Sequence, residues 1–150
     1  MKHIRLEDLA PLTDKQVQAR DLISQEDSKQ ILLSGGSRSG KTTVFCRALV
    51  LRSIIAPGST HVIFREHFNH LKASIISQTM PDVLKLWFPF LKTKLNHSDW
   101  YLSIFVDGEE SRIYYGGLDD KTRTEKILGQ EHSTIYLNEC STISFSAYHD

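Results

Sequence analysis

The sequence predicts an α/β fold in which helices cover both faces of a mostly parallel sheet, giving three layers. Three short apolar runs indicate buried strands, because strands covered on both faces read as continuous apolar segments; they span residues 30–34, 61–65 and 134–137. Helical patterns follow the first two runs. Strands that alternate with helices imply right-handed crossovers between parallel strands.

The first unit is a strand, a glycine-rich turn and a helix. An acidic leader over residues 1–29 precedes the run QILLS at residues 30–34. From Lys41 onward the apolar residues recur at helical spacing on one face, and Pro57-Gly58 ends that helix.

The second unit begins with the run HVIFR at residues 61–65. We expect a helix from about Asn69 to Thr79. Pro81 then restarts another helix, because proline fits the first turn.

The remaining elements are strands, with one final helix. Strand-like runs over residues 100–106 and 112–116 flank a five-residue loop that contains Gly108, a pattern typical of a hairpin. The run TIYL at residues 134–137 predicts one more buried strand, and residues 144–150 predict the beginning of a helix.

Composition indicates a soluble, folded chain. The 150 residues amount to one domain, 40% apolar and 24% charged, a balance that argues against disorder. Cys46 and Cys140 form no metal-type pair and fit a reducing cytosol. The N-terminus lacks the apolar region of a signal peptide, and no stretch approaches the ~18 apolar residues of a membrane span.

Charge is unevenly distributed, although the formal net charge is zero. Basic residues outnumber acidic ones by ten to three over residues 28–106, whereas residues 107–150 carry four basic and nine acidic residues. A basic middle suits a face for polyphosphate or nucleic acid. Solvated basic side chains on helix surfaces explain it equally well.

The turn between the first strand and the first helix fits the pattern G-x-x-x-x-G-K-[ST]. Its residues are Gly35, Gly36, Ser37, Arg38, Ser39, Gly40, Lys41 and Thr42. Glycines let backbone N–H groups close around phosphate oxygens at a helix N-terminus. The pattern therefore predicts a nucleotide-binding P-loop rather than a turn that merely caps a helix.

The side chains of this loop have distinct expected roles. Lys41 reaches the β- and γ-phosphates of ATP, and the Thr42 hydroxyl takes a place on Mg²⁺, with Thr43 as a helper. Arg38 either stabilises charge on the γ-phosphoryl group, as an arginine finger supplied in cis, or is a solvated loop residue.

Hydrolysis also requires an acidic group at the end of a neighbouring buried strand. The TIYL run is followed by Asn138 and Glu139, at the strand end where open α/β sheets bind ligands. We expect Glu139 to polarise the attacking water as general base. Asn138 stands where P-loop ATPases commonly carry the aspartate that organises Mg²⁺, and its neutral amide predicts a weaker, water-mediated hold. Together these motifs predict a P-loop NTPase of the ASCE type.

These residues resemble the ATPase domain of the large terminase subunit of tailed bacteriophages, the motor that packages DNA into a procapsid. Four further segments extend the resemblance over nearly the whole chain: Leu12–Gln16, Ile63–Lys72, Gly116–Asp120 and Lys126–Gly129. The first is similar to the family's adenine-recognition segment and the second to its strand that ends in arginine. The last two resemble the run that leads into its acidic strand, and Asn138-Glu139 resembles a variant of the family's Asp-Glu pair.

The resemblance implies roles and partners. Gln16 is expected to contact the adenine base and Arg38 to act in cis. The family places Arg65 near the nucleotide, whereas the residues alone equally favour an ion pair with Glu66 or Asp119. The implied ligands are ATP and Mg²⁺. The implied partners are double-stranded DNA, the terminase small subunit, the portal protein and further copies in a ring, in the host bacterial cytoplasm and away from membranes.

Two other functions stay open. DNA helicases and recombination ATPases also use an upstream glutamine and a strand-borne glutamate, although Asn138-Glu139-Cys140 is not a DExx-type box. A terminase remnant would fold, and bind nucleotide or a capsid partner, without turnover. Residues 1–150 lack the family's later ATPase strands and its nuclease domain. We therefore expect a partial ATPase domain, incomplete at its C-terminus, that binds Mg-ATP weakly, neither translocates nor cuts DNA alone, and aggregates through an uncovered edge.

Overall fold

The structure is a computed structural model that describes residues 11–25, 30–33 and 40–140. Within these ranges a five-stranded sheet forms the centre. The helices are α1 (Asp14–Ile23), α2 (Lys41–Ile55), α3 (Phe68–Leu71), α4 (Met80–Trp87) and α5 (Lys121–Leu128), and a π-helical segment, Lys72–Thr79, joins α3 to α4. The strands are β1 (Thr60–Arg65), β2 (Lys92–Asn96), β3 (Tyr101–Val106), β4 (Glu109–Gly117) and β5 (Thr134–Leu137).

The sheet has the order β2-β3-β4-β1-β5 and is mixed. β1 runs parallel to both β4 and β5, with Phe64 opposite Gly116 on one side and Leu137 on the other. β2 pairs antiparallel with β3, and β3 pairs antiparallel with β4. Because β1 and β5 are parallel, both end at the same edge of the sheet.

α2 packs on one face of the sheet because its apolar residues share one side of the helix. Cys46, Leu49 and Val50 are buried and join Ile63 and Tyr115 in the main core. Each large apolar side chain buried in this way stabilises the fold by about 1.5–3 kcal/mol. The Cys46 thiol is fully enclosed, and burial raises its pKa to about 12.

α5 covers the opposite face. Its Ile127 packs with Val62, Phe64 and Tyr114 in a second, smaller core. Helices on both faces confirm the three layers predicted from the sequence.

The chain from Phe68 to Trp87 is helical throughout but changes its winding. In the π-helical segment, Ser77 Oγ donates to the Lys72 carbonyl, five residues back, at 2.7 Å. Pro81 lies in the first turn of α4, as predicted, and helical winding continues into it from the π-helical segment. Both predicted helices are present, and the π-helical winding over most of the first one, Lys72–Thr79, had no counterpart in the prediction.

β3 and β4 form the predicted hairpin with a shorter turn than expected. Val106 pairs with Glu109, so the turn consists of Asp107 and Gly108 rather than five residues. Both turn residues have left-handed φ values, +52° and +78°, which the Asp-Gly pair tolerates in two-residue turns. Ser111, expected in the loop, is buried in β4, where its Oγ donates to a carbonyl of α2 at 2.9 Å.

Several elements differ from the sequence-based expectation. Residues 30–33 have no regular secondary structure, and Leu32 is 75% exposed, so the predicted strand is not packed between layers there. Ser34 and residues 144–150 lie outside the described residues. α1, α5 and β2 were not predicted, although α1 begins with a capping box in which Thr13 and Gln16 bond each other's backbone N–H groups.

No helix within the described ranges is long and apolar enough to cross a membrane.

Candidate functional site

The candidate site lies at the sheet edge where β1 and β5 end and α2 begins. Asn138 and Glu139 directly follow β5, and Lys41 and Thr42 open α2. The Asn138 N–H donates to the Phe64 carbonyl of β1 at 2.8 Å, which continues the β1–β5 ladder past the end of β5. Asn138, 3% exposed, is therefore fixed in place by backbone pairing.

The Asn138 side chain joins three partners. Its Oδ1 accepts from an Arg65 Nη1 at 3.3 Å, and its Nδ2 donates to the Tyr136 hydroxyl at 2.8 Å and to Thr42 Oγ1 at 3.3 Å. This orientation follows from the chemistry, since a guanidinium has only donors and must face the carbonyl oxygen. One amide thus connects the end of β5 to the first turn of α2 and the end of β1.

Tyr136 supports this contact from within β5. Side chains alternate along a strand, so residues 136 and 138 lie on the same face. The Tyr136 ring stacks on Phe45 of α2 with centroids 4.3 Å apart, and its hydroxyl contacts Thr42 as well as Asn138. Burial raises the pKa of Tyr136 to about 12, so the hydroxyl stays protonated and holds the network together.

Arg65 reaches across the site instead of pairing with Asp119. Its Nη1 also donates to Ser74 Oγ in the π-helical segment, at 3.1 Å. Asp119 lies beside His67, with 3.7 Å between Oδ2 and Nδ1, and accepts from a backbone N–H of α3. The guanidinium therefore connects Ser74 to Asn138.

Glu139 and the first turn of α2 lie beside the hydrogen-bond network of Asn138. Glu139 is exposed and has a φ of +53°, a left-handed conformation that is uncommon for residues other than glycine and recurs at functional sites. Lys41, Thr42 and Thr43 are half-buried in the first turn of α2, at the helix end whose dipole favours anions.

Gln16 of α1 lies close to Gly40, the residue directly before α2. Its Oε1 accepts from the Thr13 N–H at 3.0 Å, and its Nε2 makes a long contact of 3.5 Å with the Gly40 carbonyl. Gly40 has a φ of +79°, and a Cβ atom there would lie 2.5 Å from Gln16 Nε2. Glycine at this position allows α1 to lie against the start of α2. An amide has two N–H donors and two oxygen lone pairs, so an adenine base could bind the Gln16 amide beside these two contacts.

Five of the predicted loop residues lie outside the described residues: Gly35, Gly36, Ser37, Arg38 and Ser39.

The chemistry of the donor set can be compared with the needs of Mg²⁺, which prefers oxygen ligands. Thr42 Oγ1 accepts from Asn138 Nδ2 at 3.3 Å and donates its own proton to the Tyr136 hydroxyl, a contact that acts to lower the Tyr136 pKa. A hydroxyl oxygen has two lone pairs, so one remains for a metal. Asn138 Oδ1 faces the Arg65 guanidinium, which disfavours direct ligation of a second cation. The residues fit a metal held directly by Thr42 and only indirectly by Asn138. The described part of the chain holds no group of three or more His, Cys, Asp and Glu side chains suited to a metal ion.

A mixed α/β sheet whose parallel strands end beside a helix that opens with Lys-Thr is consistent with a P-loop NTPase fold. The family description "Terminase large subunit, T4likevirus-type, N-terminal" matches residues 32–150. The chain therefore belongs to the family of large terminase subunits, which confirms the resemblance stated from the sequence. The helicase and recombination ATPases left open above receive no support from this match.

Solved structures of large terminases share the fold. The large terminase from a thermophilic bacteriophage (crystal form 2) superposes with a TM-score of 0.79 at 20% identity, over 93% of this chain and 35% of that chain. The same phage's large terminase in complex with ATP-gamma-S gives 0.74 at 19% identity, over 93% of this chain and 34% of that one. The ATPase domain of the Thermus phage P74-26 large terminase gives 0.57 at 18% identity, over 77% of this chain and 49% of that chain.

This chain thus spans about a third of the length of the thermophilic phage protein. No curated protein matches its sequence.

Sequence reasoning missed two residues of this network. Tyr136 could have been found, because a strand places it on the same face as Asn138. Ser74 gave no signal, since its approach to Arg65 depends on the winding of the π-helical segment.

Proposed function

We propose that this domain binds Mg-ATP at the start of α2 and hydrolyses it with groups at the end of β5. The observation that carries the proposal is the contact of 3.3 Å between Asn138 Nδ2 and Thr42 Oγ1. This contact joins Thr42, the last residue of the predicted P-loop, to Asn138, which directly precedes the predicted general base Glu139. A site that couples phosphate binding to water activation requires these two segments to lie together.

The phosphates would be bound by the loop and the helix. Backbone N–H groups of residues 35–40 would close around them, and the ammonium of Lys41 would lie beside the β- and γ-phosphates. Arg38 would add a positive charge at the γ-phosphate, and Gln16 would contact the adenine through the second donor and acceptor positions of its amide.

Mg²⁺, when bound, neutralises charge on the β- and γ-phosphates. Thr42 would hold it directly, while Asn138 would orient the Thr42 hydroxyl. Glu139 would accept a proton from the attacking water as general base. The exposed position of Glu139 supports this role, because a general base must reach water.

Membership of the terminase family supports a motor function in which hydrolysis drives double-stranded DNA into a procapsid. The chain would act as part of a longer large subunit, in a homo-oligomeric ring, with the terminase small subunit and the portal protein as partners in the bacterial cytoplasm. The middle of the chain, rich in lysine and arginine, is compatible with DNA as the cargo.

The first test concerns Lys41. Lys41→Ala should lose the stabilisation by Mg-ATP, because Lys41 is the only lysine in the loop sequence and its ammonium is expected beside both the β- and γ-phosphates. With ATP at about 100 times its Kd, the parent should gain about 2.7 kcal/mol in free energy of unfolding. Thermal unfolding with and without Mg-ATP measures the gain.

Lys85→Ala is the control, since Lys85 is an exposed lysine in the last turn of α4 and its loss should leave the gain intact. Equal stabilisation of the parent and Lys41→Ala would overturn the phosphate assignment. Stabilisation without any turnover in a longer terminase would favour the non-catalytic alternative.

A further inference from the structure

We propose that Arg65 is a positioning residue that sets the hydrogen-bonding direction of Asn138 and thereby controls how tightly Thr42 holds Mg²⁺. This inference rests on the proposed function, because it concerns the same metal-nucleotide site. It assigns a specific role to Arg65, which the family resemblance placed near the nucleotide and which the residues alone equally favoured as an ion-pair partner of Glu66 or Asp119.

The two ends of the Asn138 amide differ, since one accepts and the other donates hydrogen bonds. An asparagine amide can rotate by half a turn, which exchanges its donor and acceptor ends with little change in shape. Arg65 Nη1 lies 3.3 Å from Oδ1 and can only donate. Its presence therefore forces the donor end, Nδ2, toward Tyr136 and Thr42.

This direction matters for a metal. Nδ2 donates to Thr42 Oγ1 and so occupies one of the two lone pairs that this oxygen has for Mg²⁺. With the amide reversed, Oδ1 would accept the protons of both the Tyr136 and the Thr42 hydroxyls and leave both Thr42 lone pairs free. Arg65 also places a positive charge at the far side of the same amide. Both effects weaken the hold on Mg²⁺.

The rest of the structure keeps Arg65 in this position. Ser74 Oγ accepts from the same Nη1 at 3.1 Å and itself donates to the His70 carbonyl at 2.7 Å. The π-helical segment thus fixes the guanidinium from one side while Asn138 binds it from the other. A change in that segment would reach the metal site through Arg65.

The experiment replaces Arg65 by methionine, which keeps the aliphatic stem but removes the donors and the charge. At a fixed saturating ATP concentration, Mg²⁺ is titrated and its concentration at half-maximal thermal stabilisation is compared between variants. Arg65→Met should lower this midpoint by about 3- to 10-fold, the net contribution of one hydrogen bond. Arg65→Lys, which keeps donors and charge, should restore it toward the parent value.

Two further variants separate positioning from general stability. Arg52→Ala removes another arginine that binds β5, through Thr134 Oγ1 at 2.9 Å, but at the opposite end of the strand; it should leave the midpoint unchanged. In the Asn138→Ala background, which has no amide to orient, Arg65→Met should shift the midpoint by clearly less than in the parent. Arg65→Ala provides the same comparison if the methionine variant does not fold.

A readout without nucleotide tests the contact itself. In the ¹⁵N-labelled chain, the side-chain NH₂ signals of Asn138 are those that disappear in Asn138→Ala. They should shift in Arg65→Met and stay in place in Arg52→Ala. Unchanged NH₂ signals in Arg65→Met would overturn the proposal. An unchanged or raised Mg²⁺ midpoint in Arg65→Met would also overturn it. So would a midpoint shift by Arg65→Met that is as large in the Asn138→Ala background as in the parent.

Different results would contradict the proposed function and the positioning role of Arg65. A parent chain that gains no stability from Mg-ATP would overturn the proposed function and the control of metal binding with it. If the parent binds Mg-ATP but its Mg²⁺ midpoint does not change when Arg65 is replaced, only the positioning role is overturned.

Discussion

At residue 138 a neutral amide performs two opposite tasks. It accepts a hydrogen bond from Arg65 on one side and donates to the hydroxyls of Tyr136 and Thr42 on the other. An aspartate in this buried position could only accept, so both hydroxyls would have to turn and donate to it. Asparagine is thus matched to the neighbours it has, and under the proposed function its contribution to metal binding would pass through Thr42.

A prediction at this scale concerns Glu139. Glu139→Gln keeps the shape and the left-handed backbone but removes the group that accepts a proton. Binding of Mg-ATP should be retained, while turnover should fall by about 10²-fold or more, the usual contribution of a general base. Thermal stabilisation by Mg-ATP and steady-state phosphate release, in a terminase long enough to hydrolyse ATP, measure the two effects.

Glu131→Gln is the matched control for this variant. Glu131 is an exposed carboxylate that precedes β5, away from the end where Asn138 lies. Its replacement should change neither quantity. If Glu139→Gln turns over ATP at the parent rate while Glu131→Gln does not, the general base has been assigned to the wrong carboxylate.

Some contacts of the candidate site could be predicted from the sequence, and others could not. Thr42 and Asn138 could be predicted to meet. A P-loop helix begins at the edge of the sheet where the neighbouring parallel strand ends. The partner of Arg65 could not, because nothing in the sequence distinguishes Ser74 and Asn138 from Asp119 before the helices have been placed. The roles assigned to Lys41 and Glu139 stay predictions that the experiments above test.

At the scale of elements, the approach of α3 to β4 depends on one glycine. Gly117 ends β4 opposite Arg65, and a Cβ atom there would lie 2.6 Å from the Phe68 nitrogen and 2.5 Å from Phe68 Cβ. Such separations are shorter than carbon and nitrogen atoms tolerate. Since the nearest neighbours include the backbone and the root of a side chain, the clash can be relieved only by moving α3.

Gly117→Ala is therefore expected to destabilise the fold by about 2–3 kcal/mol, in the range of overpacked cores. For a chain of this size that loss corresponds to a fall in unfolding temperature of about 5–10 °C. Thermal unfolding followed by circular dichroism measures it.

Gly129→Ala is the control for the substitution itself. Gly129 ends α5 with a right-handed φ of −68°, and a Cβ atom there would meet its nearest atom at an ordinary 3.4 Å. The unfolding temperature should stay within about 1–2 °C of the parent, as for surface substitutions of about 0.5 kcal/mol. An equal loss in both variants would show that the contact with Phe68 does not determine the stability at residue 117.

Elements with a strong local signal were predicted, and those without one were not. α2 followed from apolar spacing between a glycine-rich turn and Pro57-Gly58, and β1 and β5 followed from continuous apolar runs. β2 alternates lysine with half-buried residues at the edge of the sheet, so no apolar run marks it. Residues 30–33 carried an apolar run, yet tertiary packing leaves Leu32 exposed, which local sequence does not reveal.

For the whole molecule, the two ends of β1 have different surroundings. Its C-terminal end carries Arg65 and the candidate site. Near its N-terminal end, His61 is buried among groups that disfavour a positive charge, with Arg52 of α2 and His132 nearby. The His61 Nε2 lies 2.9 Å from Ser59 Oγ, and its Nδ1 has no hydrogen-bond partner among the described residues. The neutral ring suits this position, because a second proton would be buried without an acceptor.

The pH dependence of unfolding should therefore report on His61. Burial, followed by the charges of Arg52 and His132, lowers the pKa of His61 to about 4, below the value of about 6.5 in an unfolded chain. The unfolded state then binds the proton more readily, so stability is full above about pH 6.5 and falls as the pH drops toward 4. The loss should reach about 3 kcal/mol, because each pKa unit is worth about 1.4 kcal/mol. Urea unfolding between pH 4 and 7 should show this slope in the parent and in His97→Gln, which changes an exposed ring. His61→Gln, which keeps a polar atom near Ser59 but does not titrate, should lack it; a slope that persists in this variant would assign the acid sensitivity of the fold to other groups.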